Sequence, residues 1–549
     1  MKRSDSSLNK GGSVATGVLL LSLSTVLVKI IGLAYKIPMI SLLGAEGMGY
    51  FNSAYEIYAL LCIIATAGLP IALSMRVSVS LERGERAEIS HIYRSAMALF
   101  VAIGTIGGAV MLTFADSIAR WLENPFCAPA IRAISPALLC ICVSSAVRGY
   151  FQGFGKMLPS AISQLIEALG KLILGVFFAK WARDAGYDVA TSAAFGILGV
   201  SVGTLLSLVY LLALKHRNDK RERAETPGGV RAKSGEGSLG SLLRIAIPIT
   251  LSSAILGVTR LADMALIMRR LQDIGYSAAG ANVIYGSYTT LAVPIFNLLP
   301  SLIAPIALAV VVKLSAAIES GSVTGAQKIL SVALRISVLF SMPASLAIAV
   351  YSPQILGLLF SGSADAISIA APLLSILGAS VLFSCLITTT NAILQAYGRA
   401  TVPMIAMSVG AALKIISAYI LIGIDGIGAY GAPISTLICD LTITAINFYY
   451  INKCTKESVG VARLYLRPLA ASLSMITVSF AGYILLQRLG GGESISFIFA
   501  AALGVIAYVF FSLAFGAIER EDIIALPLGE RILDILERCK IYDSKERTK

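Results

Sequence analysis

Long apolar runs, each of 18 residues or more, follow one another from Val14 almost to the end of the chain, separated by short stretches rich in charge, glycine, proline or asparagine. A run of that length spans a hydrocarbon core of roughly 30 Å as a helix. The pattern predicts fourteen membrane helices, over 14–42, 49–75, 92–115, 130–151, 158–181, 190–214, 241–269, 280–312, 328–351, 366–395, 401–424, 427–451, 463–487 and 494–518. Ten-residue strands of alternating polarity are absent, which excludes an outer-membrane barrel. Composition agrees with an all-α integral membrane protein. Of 549 residues, 57% are hydrophobic and 14% charged, with a mean hydropathy of +0.82, whereas soluble domains carry about a quarter charged residues. The apolar segment after the basic start MKRSDSSLNKGGSVATG is too long for a signal peptide's apolar region and is read as the first span.

Charge orients these spans. Lysine and arginine gather in every second connector: Arg76, Arg83, Arg86 and Arg94; Lys156; the dense KHRNDKRERAETPGGVRAK; Lys313 and Lys328; Arg399; and Lys453, Lys456 and Arg463. Positive connectors face the cytoplasm, so both termini are expected there. The net charge of +13 then lies on a face that meets anionic lipid, not nucleic acid. The chain is divided into an N-lobe over 1–214, a basic cytoplasmic linker over 215–240, a C-lobe over 241–452, two further helices over 453–518 and a charged amphipathic helix over 519–549.

The two lobes repeat one another. PIALSMRVSVSLERG from Pro70 corresponds to PIALAVVVKLSAAIESG from Pro305, and AFGILGVSVGT from Ala194 to AYGAPISTLIC from Ala429, both at an offset of 235. QGFGKMLP from Gln152 corresponds to QAYGRATVP from Gln395 at an offset of 243, which also superposes Lys171 on Lys414. Six spans per half is an even number, so the halves face the same way and are related by a pseudo-two-fold axis along the membrane normal.

Little in the chain supports catalysis. The eight cysteines are scattered, mostly inside apolar runs, without a C-x-x-C pair, and His91 and His216 lie in hydrophilic stretches far from any cluster of acids or cysteines. No zinc site, metal cofactor or nucleotide loop is expected. A membrane glycan polymerase would place acids or histidines in a sizeable outward loop, and the outward loops here are short. The chemistry lies instead in ionisable groups inside the spans, which cost a few kcal/mol there unless they face an interior or a water-filled path. The candidates are Lys29, Lys36, Glu56, Glu167, Lys171, Arg260, Asp263, Lys414 and Asp440.

Each candidate has a plain alternative. Lys36, about a turn from its span's outer end, either lines a cavity or snorkels to the interface. Glu167 and Lys171 are spaced for an intrahelical pair. Arg260 and Asp263 are spaced to pair in one state and part in another. Asp263 and Asp440 suit a coupling proton or, at Asp263, a sodium ion. Glu56 is a counter-charge for Lys29 or Lys36.

K-x-x-G-x-x-Y-[KR]-x-P (Lys29, Gly32, Tyr35, Lys36, Pro38), LLGAEGMGYFNSAYEIY at 42–58, ATAGLPIALS at 65–74 and QGFGKMLP resemble the stage V sporulation protein B branch of polysaccharide-export flippases. That branch belongs to the multidrug/oligosaccharidyl-lipid/polysaccharide exporter superfamily and is similar to the MurJ lipid II flippases. The resemblance implies two six-helix lobes plus two C-terminal helices forming a groove for a polyprenyl tail, in a bacterial cell membrane. It implies an undecaprenyl-pyrophosphate-linked sugar as cargo, a place in peptidoglycan, spore-cortex or capsule assembly beside the cell-wall synthesis machinery, and energy from an ion gradient or the membrane potential. By the same resemblance Lys29 and Lys36 line a cationic cavity. Arg260, near the repeat equivalent of Lys29, supplies an opposing cation for the pyrophosphate. The family's basic residues on helices two and eight are missing here, where helix two offers Glu56. The alternative is a multidrug cation antiporter, for which twelve spans and an acidic pocket are expected.

Overall fold

The computed structural model describes residues 5–225, 239–455, 461–519 and 522. The predicted amphipathic helix over 519–549, apart from Glu519 and Asp522, and half of the basic linker lie outside them. The described chain is helical: α1 (Asp5–Thr66), α2 (Leu69–Glu82), α3 (Arg86–Thr113), α4 (Ala115–Trp121), α5 (Ala128–Gly153), α6 (Leu158–Asp184), α7 (Val189–Glu225), α8 (Leu239–Asp273), α9 (Ala278–Ser287), α10 (Val293–Glu319), α11 (Val323–Leu359), α12 (Ala364–Ala396), α13 (Thr401–Ile422), α14 (Gly431–Thr455), α15 (Val461–Arg488) and α16 (Glu493–Ala514). Thirteen stretches among the described residues are long and apolar enough to cross a membrane.

The first of these stretches, Leu23–Leu81, makes two passes. Gly44 breaks α1 with φ 68° and ψ 179°, a left-handed conformation that favours glycine. The rings of Tyr35 and Phe51 are 5.9 Å apart across that break, whereas 16 residues of straight helix would separate them by about 24 Å. The chain therefore turns back at Gly44, and fourteen passes result, as the apolar pattern predicts.

By contacts, the chain falls into two compact units, Met1–Leu291 with Ala418–Ala429, and Ala292–Ser417 with Tyr430–Lys549. Without water to squeeze out, membrane helices associate through small residues that let backbones approach. In the first unit α6 and α7 meet at glycines. A Cβ on Gly199 would lie 2.3 Å from the Cα of Gly175, and one on Gly170 would lie 2.7 Å from the Cα of Gly203. The hairpin of α1 packs on α5, α6, α8 and α9.

In the second unit α12 packs against α10, α11 and α14, and α15 and α16 pair beside α11. Tyr351 of α11 shares a 2.9 Å hydrogen bond with Ser479 of α15, and the hydroxyl of Tyr508 on α16 donates to the Leu339 carbonyl at 2.7 Å. Arg335 of α11 donates from Nε to both carboxylate oxygens of Asp522 at 3.0 and 3.1 Å and pairs with Glu519. These contacts tie the segment after α16 to α11.

The internal repeat is visible as local geometry. Gly155 (φ 73°) and Gly398 (φ 69°) end α5 and α12 in the same left-handed turn. In one, Gly155 N donates to Gln152 O and Lys156 N to Phe151 O; in the other, Gly398 N donates to Gln395 O and Arg399 N to Leu394 O. Gly84 and Gly321 close α2 and α10 in a second matching pair (φ 75° and 71°), so both repeated glycines serve helix ends.

Candidate functional site

The first unit gathers most of the ionisable candidates around the α1 hairpin. Lys29, Gly32 and Lys36 recur three and seven residues apart and so share one face of the first arm. Lys29 is exposed, and a Cβ on Gly32 would meet nothing within 4 Å. Lys29 lies near the middle of its predicted span, a depth at which lipid contact by an ammonium costs about 3 kcal/mol. Arg260 on α8 is also exposed and lies within electrostatic reach of Lys29.

Lys36 is held inside the protein. Its Nζ donates to the Thr289 carbonyl at 2.6 Å, within the π-helical turn Tyr288–Ala292. A π-turn displaces carbonyls from the ordinary helical ladder, which provides this acceptor. Asn52, on the returning arm, donates to Thr289 Oγ1 and Thr290 Oγ1 at 2.9 and 2.8 Å. Lys36 is thus directed inward, its charge taken to the π-turn by its hydrogen bond to Thr289. Glu56 and Lys171 are both within electrostatic reach of Lys36.

Lys171 sits among aromatic rings, with Nζ 4.9 Å from the Tyr35 centroid, 4.5 Å from Tyr55 and 5.9 Å from Phe51. A ring quadrupole attracts a desolvated cation, by about 2 kcal/mol where water is excluded. The expected intrahelical pair with Glu167 is not formed. Glu167 accepts from Arg148 Nη2 at 2.9 Å, and Arg148 also donates to Ser163 Oγ at 2.8 Å and Ser207 Oγ at 3.2 Å. Arg148, at the end of α5, was not among the candidates. Its signal in the sequence is an arginine near the end of one span and a lone glutamate in the next, joined by a short turn.

Asp263 is half-buried on α8, and it and Glu56 are within electrostatic reach of the buried Tyr285. The first unit thus joins Lys29, Lys36, Lys171 and Arg260 with Glu56, Glu167 and Asp263. Lys414 and Asp440 belong to the second unit, where they lie within electrostatic reach of each other on α13 and α14. Arg335, likewise unanticipated, is committed to Asp522 and Glu519. Among the described residues no three His, Cys, Asp or Glu cluster as for a metal ion.

The profile of the polysaccharide biosynthesis protein family matches residues 14–319, more than half of the chain. The chain belongs to that family. The MatE profile matches residues 287–420, which places this family member in the multidrug/oligosaccharidyl-lipid/polysaccharide exporter superfamily, among its membrane flippases and transporters. Stage V sporulation protein B of Bacillus subtilis (strain 168) is 22% identical, over 94% of this chain and 98% of that protein. Lipid II flippase MurJ of the same organism is 31% identical over 35% of this chain and 38% of its own. A solved lipid II flippase MurJ in an inward closed conformation matches with a TM-score of 0.69 at 16% identity, covering 90% of this chain and 98% of that one. An inward-facing multidrug resistance MATE family transporter matches with a TM-score of 0.61 at 16% identity, covering 78% and 100%. The family member described here shares its helical fold with both.

Proposed function

We propose that the protein is a flippase for an undecaprenyl-pyrophosphate-linked sugar, such as a peptidoglycan precursor, which it moves from the cytoplasmic to the outer leaflet by alternating access. The supporting observation is the accessible cationic face of α1, with Lys29 near Arg260 and Lys36 and Lys171 behind them. A pyrophosphate crossing a medium of low dielectric needs cations in place of water, and a guanidinium can bind two phosphate oxygens at once. The fixed acids nearby lower the cost of holding those cations when no cargo is bound. In this reading both termini are cytoplasmic, the polyprenyl tail runs along α15 and α16, and the protein works beside the cell-wall synthesis machinery.

The test is flipping of fluorescent lipid II and of a short-chain pyrophosphate-linked sugar by the protein reconstituted in liposomes. Lys29→Ala and Arg260→Ala are each expected to slow it at least tenfold, the effect of losing about 1.4 kcal/mol of phosphate contact. Unchanged flipping in both variants would refute the cation pair. Export of cationic dyes without lipid flipping would select the multidrug antiporter instead.

A further inference from the structure

The second unit contains a carboxyl group that its surroundings do not satisfy. Asp440 of α14 is 8% exposed, and its Oδ2 has no hydrogen-bond partner. The nearby donors are directed elsewhere. Ser435 and Thr436 donate to the Ala432 carbonyl, Thr444 to the Phe383 carbonyl, and the Asn447 amide to Thr390 Oγ1 and Asn391 Oδ1.

Two titratable groups on the packed helices approach Asp440. They are Cys385 of α12 and Lys414 of α13, each within electrostatic reach. The placement of Lys414 follows from helix packing. A Cβ on Gly410 would touch Ile443 and Cys439, so α13 lies directly on α14 there, and Lys414 is one turn further on.

A buried carboxylate with one oxygen left without a donor is more costly than the neutral acid, because that oxygen has given up water and received no hydrogen bond in return. A proton resolves this at one oxygen with no further ligand, whereas a metal cation requires several converging oxygens. We propose that Asp440 is a proton-binding site of the second unit, loaded in this structure, and that proton release toward Lys414 is linked to cargo movement. The linkage rests on the flippase reading above; the proton site does not.

Infrared difference spectra of the protein in lipid nanodiscs, titrated with pH, test the site directly. The wild type is expected to lose a carboxylic acid C=O stretch as pH rises, and Asp440→Asn, close in shape, to lack that band. Lys414→Met, which removes the cation favouring the carboxylate, is expected to keep the band to higher pH. Superimposable wild-type and Asp440→Asn titrations would overturn the proposal, as would a band abolished by sodium at constant pH. In liposomes, a pH gradient should accelerate flipping by the wild type and leave Asp440→Asn unaffected. If the spectra behave as expected and nothing is flipped, the flippase reading fails and the proton site stands.

Discussion

Removing Arg148 should isolate Glu167 inside the first unit. The two side chains are 11% and 27% exposed and meet at 2.9 Å, and breaking a buried pair from one side costs about 3–5 kcal/mol. The partial exposure of Glu167 favours the lower end, about 3 kcal/mol. The serines add little, since Ser163 and Ser207 keep their own donor bonds to the Ser160 and Ser163 carbonyls. Arg148→Met and Glu167→Met are each expected to lose about 3 kcal/mol, and the double variant to recover most of it, because two apolar side chains leave no orphaned charge. Unfolding by a graded anionic detergent, followed by tryptophan fluorescence, measures all four corners of this cycle. Single losses below about 1 kcal/mol that simply add would refute the pair as a structural element. Arg148→Met also leaves Lys171, four residues along α6, as the cation nearest Glu167 on that helix. Lys171 should then leave the Tyr35 and Tyr55 rings, and flipping should fall with stability.

Gly32→Leu should leave folding intact, since the position opens onto free space and leucine favours helix over glycine by up to about 1 kcal/mol; it should nevertheless obstruct the Lys29 face, and undiminished flipping would count against a passage there. Gly199→Ala should loosen α6 from α7, because its Cβ would press on the Gly175 backbone at 2.3 Å. Overpacking of this kind costs about 1–3 kcal/mol, and the detergent titration would show it. Asp188 caps α7, its carboxylate accepting from the Thr191 amide at 3.3 Å, and hydrogen bonding from Thr191, its side chain foremost, holds the Asp188 pKa below the usual carboxylate range. The cap therefore stabilises above the unfolded carboxylate pKa of about 3.9 and loses its effect as pH falls through the lower folded value. Asp188→Ala should cost about 1 kcal/mol at neutral pH and match the wild type in strong acid; a loss that persists there would show that the charge is not responsible.

The passes were legible because each is decided locally, by a run of apolar residues long enough for the hydrocarbon. The repeated turns were legible because Gly155 and Gly398 must adopt a left-handed backbone that their sequence neighbours already mark. Lys29 and Lys36 stood out because ammonium groups are expensive in such runs. What they touch was not legible. Lys36 reaches a carbonyl 253 positions away, and that carbonyl is available only because the chain forms a π-turn at Tyr288–Ala292. Arg335 escaped notice for a related reason, since its acids lie beyond α16, 187 positions away in the case of Asp522.

Sequence alone determined a membrane protein of fourteen passes, its duplicated turns and a short list of costly charges, because hydrophobic length, glycine geometry and the expense of burying charge all act within a few residues. Tertiary structure decided the partners. Glu167 could pair with Lys171 on its own helix or with Arg148 on another, and the packing of α5, α6 and α7 chose Arg148, leaving Lys171 to the rings of Tyr35 and Tyr55. In a medium without water to solvate whichever charge is left over, that choice depends on which helices touch, and helix contacts are set by the folded chain as a whole.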